Sequence, residues 1–240
     1  MSEPCDPLQN SLLRELNPRE FQGIAPCLEL VSLSGAEVLY EANEKLQYAY
    51  FPVTTVASLL CGLENGASVE VAVVGNEGML DISVFTGGNA ALTQAMIHSG
   101  GYGYRIAAES LRAALLRSKA YCAGTLQQTL LRYAQGLIMQ MAQTSACNRS
   151  HSVEQHLCRW LLLNFDRMQT HELAVTQEMI SNILGARRAS ITEAAGKLQQ
   201  AGIISCHRGH IQLINRPELE ARACECYNML KKSGPPFVLV

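Results

Sequence analysis

Two adjacent arginines, Arg187 and Arg188, follow Gly185 within the stretch from Val175 to Thr192. An arginine guanidinium can donate two parallel hydrogen bonds to guanine O6 and N7, a geometry that lysine cannot match. Gly185 separates two short helical patterns, and Arg188 comes near the start of the second. Arg188 is therefore placed for base contact and Arg187 for contact with the phosphate backbone. The stretch predicts a helix-turn-helix that presents a helix end to the major groove of DNA.

Further polar side chains extend this predicted surface. Thr176 is placed to cap the first helix, whose free N–H groups can then face a phosphate. The second helix runs to about Gln200 and directs Ile191 and Leu198 towards a core. For Glu193 and Lys197 an ordinary solvated position is an equally good interpretation. The full predicted DNA-binding set is Thr176, Gln177, Arg187, Arg188, Ser190, Glu193, Lys197, His207 and Arg208.

A hairpin is predicted directly after the second helix. Strand-like residues 203–206 and 210–214 flank the turn His207-Arg208-Gly209, and Asn215-Arg216-Pro217 ends the second strand. Helix, turn, helix and hairpin in this order indicate a winged helix-turn-helix. Side chains at the hairpin tip are then suited to phosphate contact.

The N-terminal half has a different pattern. Residues 8–30 predict short helices broken at Asn17-Pro18 and Pro26, and strand-like runs alternate with turn signals from Leu30 to about Ile106. Asn65-Gly66 between two such runs is a strong signal for a hairpin, because a type I′ turn needs positive φ at both positions. Short strands at this spacing predict a compact barrel or sandwich.

A long helix is predicted from about Gly124 to Ser145. Its apolar side chains recur every three or four residues and form one stripe. The spacing alone fits a helix that lies on its own barrel, and it also fits a parallel coiled-coil seam between two subunits. The stripe consists of Leu126, Leu130, Tyr133, Leu137 and Met141, with Leu131 and Ile138 at its edge.

Composition limits the possible classes of protein. Residues 1–145 carry a net charge of -5 and residues 146–240 a net charge of +3, which fits an acidic sensing half joined to a basic binding half, or simply two solvated surfaces. The nine scattered cysteines favour reduced thiols in a cytoplasm. Neither a signal peptide nor an apolar run of membrane-spanning length is found, and no paired carboxylates, phosphate loop or zinc-ligand spacing indicate an enzyme.

The segment Leu173–Ile214 resembles the DNA-binding domain of the Crp/Fnr family of bacterial regulators, and the order of the preceding elements matches as well. The resemblance implies an α+β chain with an N-terminal β-roll of the cyclic-nucleotide-binding type, which is jelly-roll-like, a long dimerisation helix and a C-terminal winged helix-turn-helix. The corresponding domains are residues 1–122, 123–146 and 147–240.

This family resemblance also implies a cytoplasmic homodimer that regulates transcription by binding a DNA palindrome, with RNA polymerase as a further partner if the chain is an activator. It favours the seam interpretation of the helix stripe. Two positions depart from the family pattern. Ala189 stands where many members have glutamate, and Glu193 aligns with a family arginine, so a different operator is expected.

The segment that would bind a cyclic nucleotide also departs from the pattern. Met79 stands where the family glutamate is expected, and no arginine occurs between Glu77 and Arg105 to neutralise a phosphate. We therefore expect no cyclic AMP binding of the usual kind, and the effector stays unknown.

No metal or cofactor is predicted either. The N-terminal cysteines Cys5 and Cys27 stand too far apart for an iron–sulfur cluster of the oxygen-sensing branch. His98 is the one histidine available there for haem. Cys224-x-Cys226 is interpreted as two small apolar residues on a terminal helix.

One alternative from another functional class stays open. The chain can be a ligand-sensing or protein-interaction module whose winged helix no longer binds DNA. Steep loss of nucleic-acid affinity with salt would discriminate the two functions, because phosphate contacts release counterions.

Overall fold

The computed structural model describes residues 6–64, 66–118, 125–168 and 171–232. It confirms the α+β class predicted from the sequence, with a β-roll, a long helix and a winged helix-turn-helix in chain order. The strands are β1 (Glu29–Leu33), β2 (Val38–Tyr40), β3 (Tyr48–Pro52), β4 (Val56–Gly62), β5 (Ser68–Val74), β6 (Gln94–Ser99), β7 (Gly101–Ala107), β8 (Glu172–Ala174), β9 (Ile204–His207) and β10 (His210–Leu213). The helices are α1 (Ser11–Arg14), α2 (Pro18–Ile24), α3 (Ser83–Thr86), α4 (Ala108–Arg117), α5 (Leu126–Ser150), α6 (Val153–Arg167), α7 (Gln177–Leu184), α8 (Arg188–Gln200), α9 (Arg216–Arg222) and α10 (Cys226–Lys232).

Two antiparallel sheets enclose the core of the β-roll. One has the strand order β1-β7-β3 and the other β2-β6-β4-β5. Phe51, Ile97 and Ile106, from both sheets, are fully buried in a single apolar cluster. The predicted β4–β5 hairpin is present, and Gly66 has a φ of +82° at its turn. Asn65, the other predicted turn residue, lies outside the described residues.

The long helix α5 begins at Leu126, where Thr125 caps it by accepting a hydrogen bond from the Gln128 N–H. It continues to Ser150, beyond the boundary predicted at residue 146. The end is set by Ser152, which forms a reciprocal capping box with Gln155 and so starts α6. The predicted start at residues 123 and 124 lies outside the described part of the chain.

The predicted dimer stripe on α5 needs correction. Leu126, Leu130, Tyr133 and Leu137 are each 1% exposed within the single chain, and they belong to the apolar cluster of the roll. Met141 is half-buried against the same cluster. These side chains therefore hold α5 on its own barrel. They are not available for a seam between subunits, because burial against the roll has already removed them from solvent.

Helix α6 lies between the roll and the winged helix. The helix buries side chains all around, including Arg159, Asn164 and Arg167. Trp160 packs in a cluster that joins Val56 and Val73 of the roll to the helices α7 and α8. The winged helix-turn-helix is thus packed directly against the β-roll.

The winged helix contains elements that the sequence analysis did not predict. β8 adds a third strand to the wing, in the order β8-β10-β9. Two short helices, α9 and α10, follow the wing, where the sequence indicated a single terminal helix. Their packing brings residues 224–226 against the end of α5. Among the helices in the described ranges, none is both long and apolar enough to cross a bilayer.

Candidate nucleic-acid interface

The turn of the helix-turn-helix forms as its residues predict. The hydroxyl of Thr176 accepts a hydrogen bond of 3.1 Å from the Met179 N–H and so begins α7. Gly185 ends α7 with a φ of +60°, a left-handed conformation that glycine adopts without steric cost. An added Cβ there would lie 2.8 Å from a methyl group of Val69 in the roll. Glycine is therefore required both for the turn and for its close approach to the barrel.

Helix α8 begins with Arg188 as its first residue and Arg187 at its cap position. Ile191, Ala195 and Leu198 are buried as the periodicity predicts. A hydrogen bond of 2.7 Å from the Thr192 hydroxyl to the Gln177 side chain ties this outer face to the start of α7. That bond orients the Gln177 side chain. It joins residues 15 positions apart and was not predicted from the sequence.

Five of the nine predicted DNA contacts line one surface cleft of about 280 Å³. The start of α7, the start of α8 and the tip of the wing meet there. A backbone hydrogen bond of 2.7 Å from the Val175 N–H to the Gly209 carbonyl fixes the wing tip against α7. The five residues are Thr176, Gln177, Arg188, His207 and Arg208.

The wing tip holds an arginine in an unusual backbone conformation. Arg208 has a φ of +42° and Gly209 a φ of +83°, between the paired residues His207 and His210. A two-residue hairpin needs positive φ at both central positions, and this costs a residue with a side chain about 1–2 kcal/mol. The strained arginine therefore occupies a position where glycine or asparagine would be more stable.

The arginines of this surface have no acidic partner among the described residues. Arg187 and Arg188 are exposed, as is Arg208, and within the described ranges none of them pairs with a carboxylate. Glu193 and Lys197 pair with each other along α8 at 2.9 Å, with both side chains exposed. Their hydrogen bond lowers the pKa of the Glu193 carboxyl and raises that of Lys197. Glu193 thus contacts a lysine and not an arginine.

The remaining predicted contact, Ser190, is half-buried in the first turn of α8. It lies next to the cleft in sequence but does not line it. Arg187, Glu193 and Lys197 extend from the cleft along α8.

A second exposed face runs along α5, beside the buried stripe. Its residues 131, 135, 138, 142 and 145 follow alternating steps of four and three, which is the spacing of a coiled-coil seam. Leu131 is 48% exposed and Ile138 is 60% exposed. Leu116, 89% exposed at the end of α4, borders an apolar pocket of about 410 Å³ that Leu131 also lines. This face, adjacent to the predicted one, carries two large exposed apolar side chains of the helix, and the neighbouring Met139 is 53% exposed as well.

The segment that corresponds to a cyclic-nucleotide cassette packs against α5 at Met79. Met79 is fully buried, and the hydroxyl of Tyr133 donates a hydrogen bond of 2.7 Å to its carbonyl. Burial raises the pKa of Tyr133, so the hydroxyl keeps its proton for this bond. Gly78 is required below the ring, since a Cβ there would lie 2.5 Å from Tyr133.

Buried polar contacts join the roll to α6. Arg167 of α6 pairs with Glu77 of the roll at 2.6 Å, with side-chain exposures of only 2% and 5%. Glu70 of β5 accepts hydrogen bonds from Ser58 and from the Trp160 indole. Burial raises the pKa of the Glu70 carboxyl to about 7.

His98 packs beside the same tryptophan, with its ring centroid 5.7 Å from that of Trp160. Burial, and to a lesser extent the charge of Arg167, lowers the pKa of His98 to about 3. The histidine is therefore neutral and part of the contact between the roll and α6.

Comparison with known proteins identifies the C-terminal fold. Residues 155–222 match the family model of the Crp-like helix-turn-helix domain. No curated protein matches the chain by sequence.

Solved structures extend the likeness to most of the chain. FixK2 from Bradyrhizobium japonicum is 18% identical, with a TM-score of 0.65, over 82% of this chain and 98% of its own. TTHB099, a CRP-family transcriptional regulator from Thermus thermophilus, is 15% identical, with a TM-score of 0.65, over 80% and 96%. CLP, a c-di-GMP-responsive regulator from Xanthomonas campestris, is 10% identical, with a TM-score of 0.62, over 82% and 99%. At these identities the likeness establishes a shared fold.

Proposed function

We propose that this chain, a Crp/Fnr-type regulator by its Crp-like helix-turn-helix domain and by its fold, binds double-stranded DNA sequence-specifically as a homodimer. Proteins of this family are transcription regulators and not enzymes. The observation that carries the proposal is the cleft in which Arg188 and Arg208 meet the capped start of α7 without an acidic partner among the described residues.

The parts of the cleft have separable roles in this proposal. Arg188 enters the major groove and contacts base edges, because it lies at the N-terminal end of the second helix. Arg208 at the wing tip and the free N–H groups at the start of α7 contact phosphates. Arg187, beside the groove-facing residue, is placed for the backbone as well.

We assign the dimer contact to the exposed face of α5 that contains Leu131 and Ile138. Leaving these side chains in solvent is unfavourable, and a parallel partner helix would cover them at the observed spacing. Two subunits joined in this way would carry two recognition helices, which suits a palindrome with half-sites about one helical turn apart.

The effector of this regulator is not cyclic AMP bound in the usual way. The cassette lacks an arginine for the phosphate, and a fully buried Met79 stands where the family glutamate is expected. Calorimetry should detect no saturable binding of cyclic AMP below about 100 µM, which corresponds to about -5.5 kcal/mol. Saturable binding in that range would refute this part of the proposal.

The DNA-binding proposal is tested by selecting bound fragments from the source genome and titrating the recovered operator. Arg188→Ala should weaken specific binding by about 1–3 kcal/mol, roughly 5- to 150-fold, and relax the preference at one base position. Arg19→Ala, which removes an exposed arginine of α2, should change neither the affinity nor the base preference. An unchanged affinity and sequence preference for Arg188→Ala would refute its role.

The dimer assignment is tested by light scattering. Ile138→Glu should yield monomers at a concentration where the unmodified protein is a dimer, because two carboxylates would meet in an apolar seam. Asn148→Glu, on an exposed side of α5 away from this face, should leave the dimer intact. A dimeric Ile138→Glu variant would contradict the assignment.

A further inference from the structure

A cluster of four metal-binding side chains forms where the chain end returns to the long helix. Cys147 and His151 lie one turn apart at the end of α5, and Cys224 and Cys226 flank the start of α10. Cys147 Sγ lies 3.5 Å from Cys224 Sγ, and His151 Nδ1 lies 3.6 Å from Cys226 Sγ. All four donor atoms lie within 4.8 Å of one another.

These distances fit a tetrahedral zinc site. With Zn–S bonds of about 2.3 Å and Zn–N bonds of about 2.0 Å, a tetrahedron separates two sulfurs by about 3.8 Å and a sulfur from a nitrogen by about 3.6 Å. The observed separations therefore need little adjustment to accept the ion. Three sulfurs and one imidazole are also the soft and borderline donors that zinc takes in structural sites, whereas magnesium and calcium require oxygen.

The surroundings orient the ligands. Nε2 of His151 lies 3.2 Å from a carboxylate oxygen of Glu225, so this nitrogen carries the proton and Nδ1 keeps its lone pair for a metal. The side-chain amide of Gln143 donates a hydrogen bond of 3.0 Å to Cys226 Sγ. The three cysteines are each at most 3% exposed, which leaves no open position for a substrate.

A buried arginine beside the cluster also favours a zinc site. Arg159 is 3% exposed, its Nε is a buried donor without an acceptor, and it forms no ion pair with any residue in the described ranges. Its Nη1 donates a hydrogen bond of 3.2 Å to the hydroxyl of Thr144, which lies on α5 close to Cys147. A zinc ion with three thiolates and one neutral histidine has a net charge of -1, which would compensate this buried cation.

We propose that Cys147, His151, Cys224 and Cys226 bind one Zn²⁺ ion per chain in a closed tetrahedral site. The sequence alone does not indicate this site, because the four ligands belong to two short pairs, C-x₃-H and C-x-C, separated by more than 70 residues. The ion would join α5, the start of the α5–α6 connection and α10. It would therefore fix the long helix to the end of the DNA-binding domain.

The test uses the full-length reduced protein after removal of metal by a chelator. Zinc should bind at one ion per chain, and Co²⁺ in its place should give the visible absorption of a tetrahedral ion with thiolate-to-cobalt charge transfer. Cys226→Ser and His151→Ala should lose this stoichiometric binding. Cys61→Ser and Cys206→Ser, which change cysteines outside the cluster, should retain it.

A second measurement needs no variant and so does not depend on the folding of substituted proteins. Burial already shields the three cluster cysteines in the folded chain, so alkylation is followed in urea at a concentration that partly unfolds the metal-free protein and is mapped by mass spectrometry. Zinc should slow the reaction of Cys147, Cys224 and Cys226, while Cys27 and Cys61 react with and without the ion. Substoichiometric metal, octahedral cobalt spectra or equal alkylation in both conditions would overturn the proposal.

Discussion

Replacing Arg167 by methionine should leave the buried carboxylate of Glu77 without its cationic partner, between the β-roll and α6. Among the described residues, Glu77 would keep only its weak hydrogen bonds from the Gly75 N–H, at 3.1 and 3.2 Å, after losing the 2.6 Å contact to the guanidinium. Removing one partner of a buried ion pair costs about 3–5 kcal/mol. We therefore expect the free energy of unfolding to fall by about that amount at pH 7.

The two partners of this pair should respond differently to pH. A stranded carboxyl can take up a proton, and keeping a free glutamate protonated costs about 3.7 kcal/mol at pH 7 but only about 1 kcal/mol at pH 5. Arg167→Met should thus cost about 2–3 kcal/mol less at pH 5 than at pH 7, relative to the unmodified protein at each pH. Glu77→Gln strands a guanidinium that does not deprotonate, so its cost should be the same at both pH values.

Urea unfolding followed by tryptophan fluorescence suits this experiment, because the single tryptophan, Trp160, lies on the same helix as Arg167. The double variant Arg167→Met with Glu77→Gln buries no charge at this position and should cost less than the two single changes together. If Arg167→Met costs below about 1 kcal/mol at pH 7, or costs the same at pH 5, then the pair is not buried as described. That result would contradict the close packing of α6 against the roll at this pair.

Three further predictions concern other buried or strained positions. The Glu70 carboxyl has a pKa of about 7 in the folded chain against 4.5 as its ordinary value, so the folded state binds its proton more tightly. The stability that this confers is present below pH 4.5 and is lost as the pH rises through 7. When the free energy of unfolding is measured against pH, Glu70→Gln should remove this loss, which amounts to about 3 kcal/mol. Arg208→Gly should raise the melting temperature, since glycine tolerates positive φ, yet lower the salt dependence of DNA affinity by about one unit of slope; a stability loss would contradict the strain. Gly78→Ala should cost about 1–3 kcal/mol in chemical denaturation through its collision with Tyr133, whereas Gly196→Ala, where an added Cβ meets no atom within 4 Å, should not destabilise the protein.

The predictions from sequence succeeded where the determining interactions are local. The cap at Thr176, the turn at Gly185 and the inward face of α8 each depend on residues within a few positions of one another, and all are present. The hairpin at Gly66 follows from the same kind of signal. The strand β8 was missed because three residues at the edge of a sheet carry too little pattern, and pairing with β10 defines them.

Tertiary structure decided which side of each helix is covered. Helix α5 has apolar side chains on two neighbouring faces. Their spacing alone fitted packing on the barrel as well as a seam, and the family resemblance favoured the face with Leu130 as the seam. Packing on the roll buries that face and leaves Ile138 in solvent. Helix α6 is covered on all sides for the same reason, since both domains pack against it.

The helix-turn-helix that begins at Thr176 was determined by the sequence itself, because capping, turn and helical period act between near neighbours. The joining of Arg188 to the wing tip at Arg208, and of Cys147 to Cys224, was decided only by the folded chain. Residues so far apart are brought within contact distance by the burial of intervening apolar surface, and no local spacing encodes that distance.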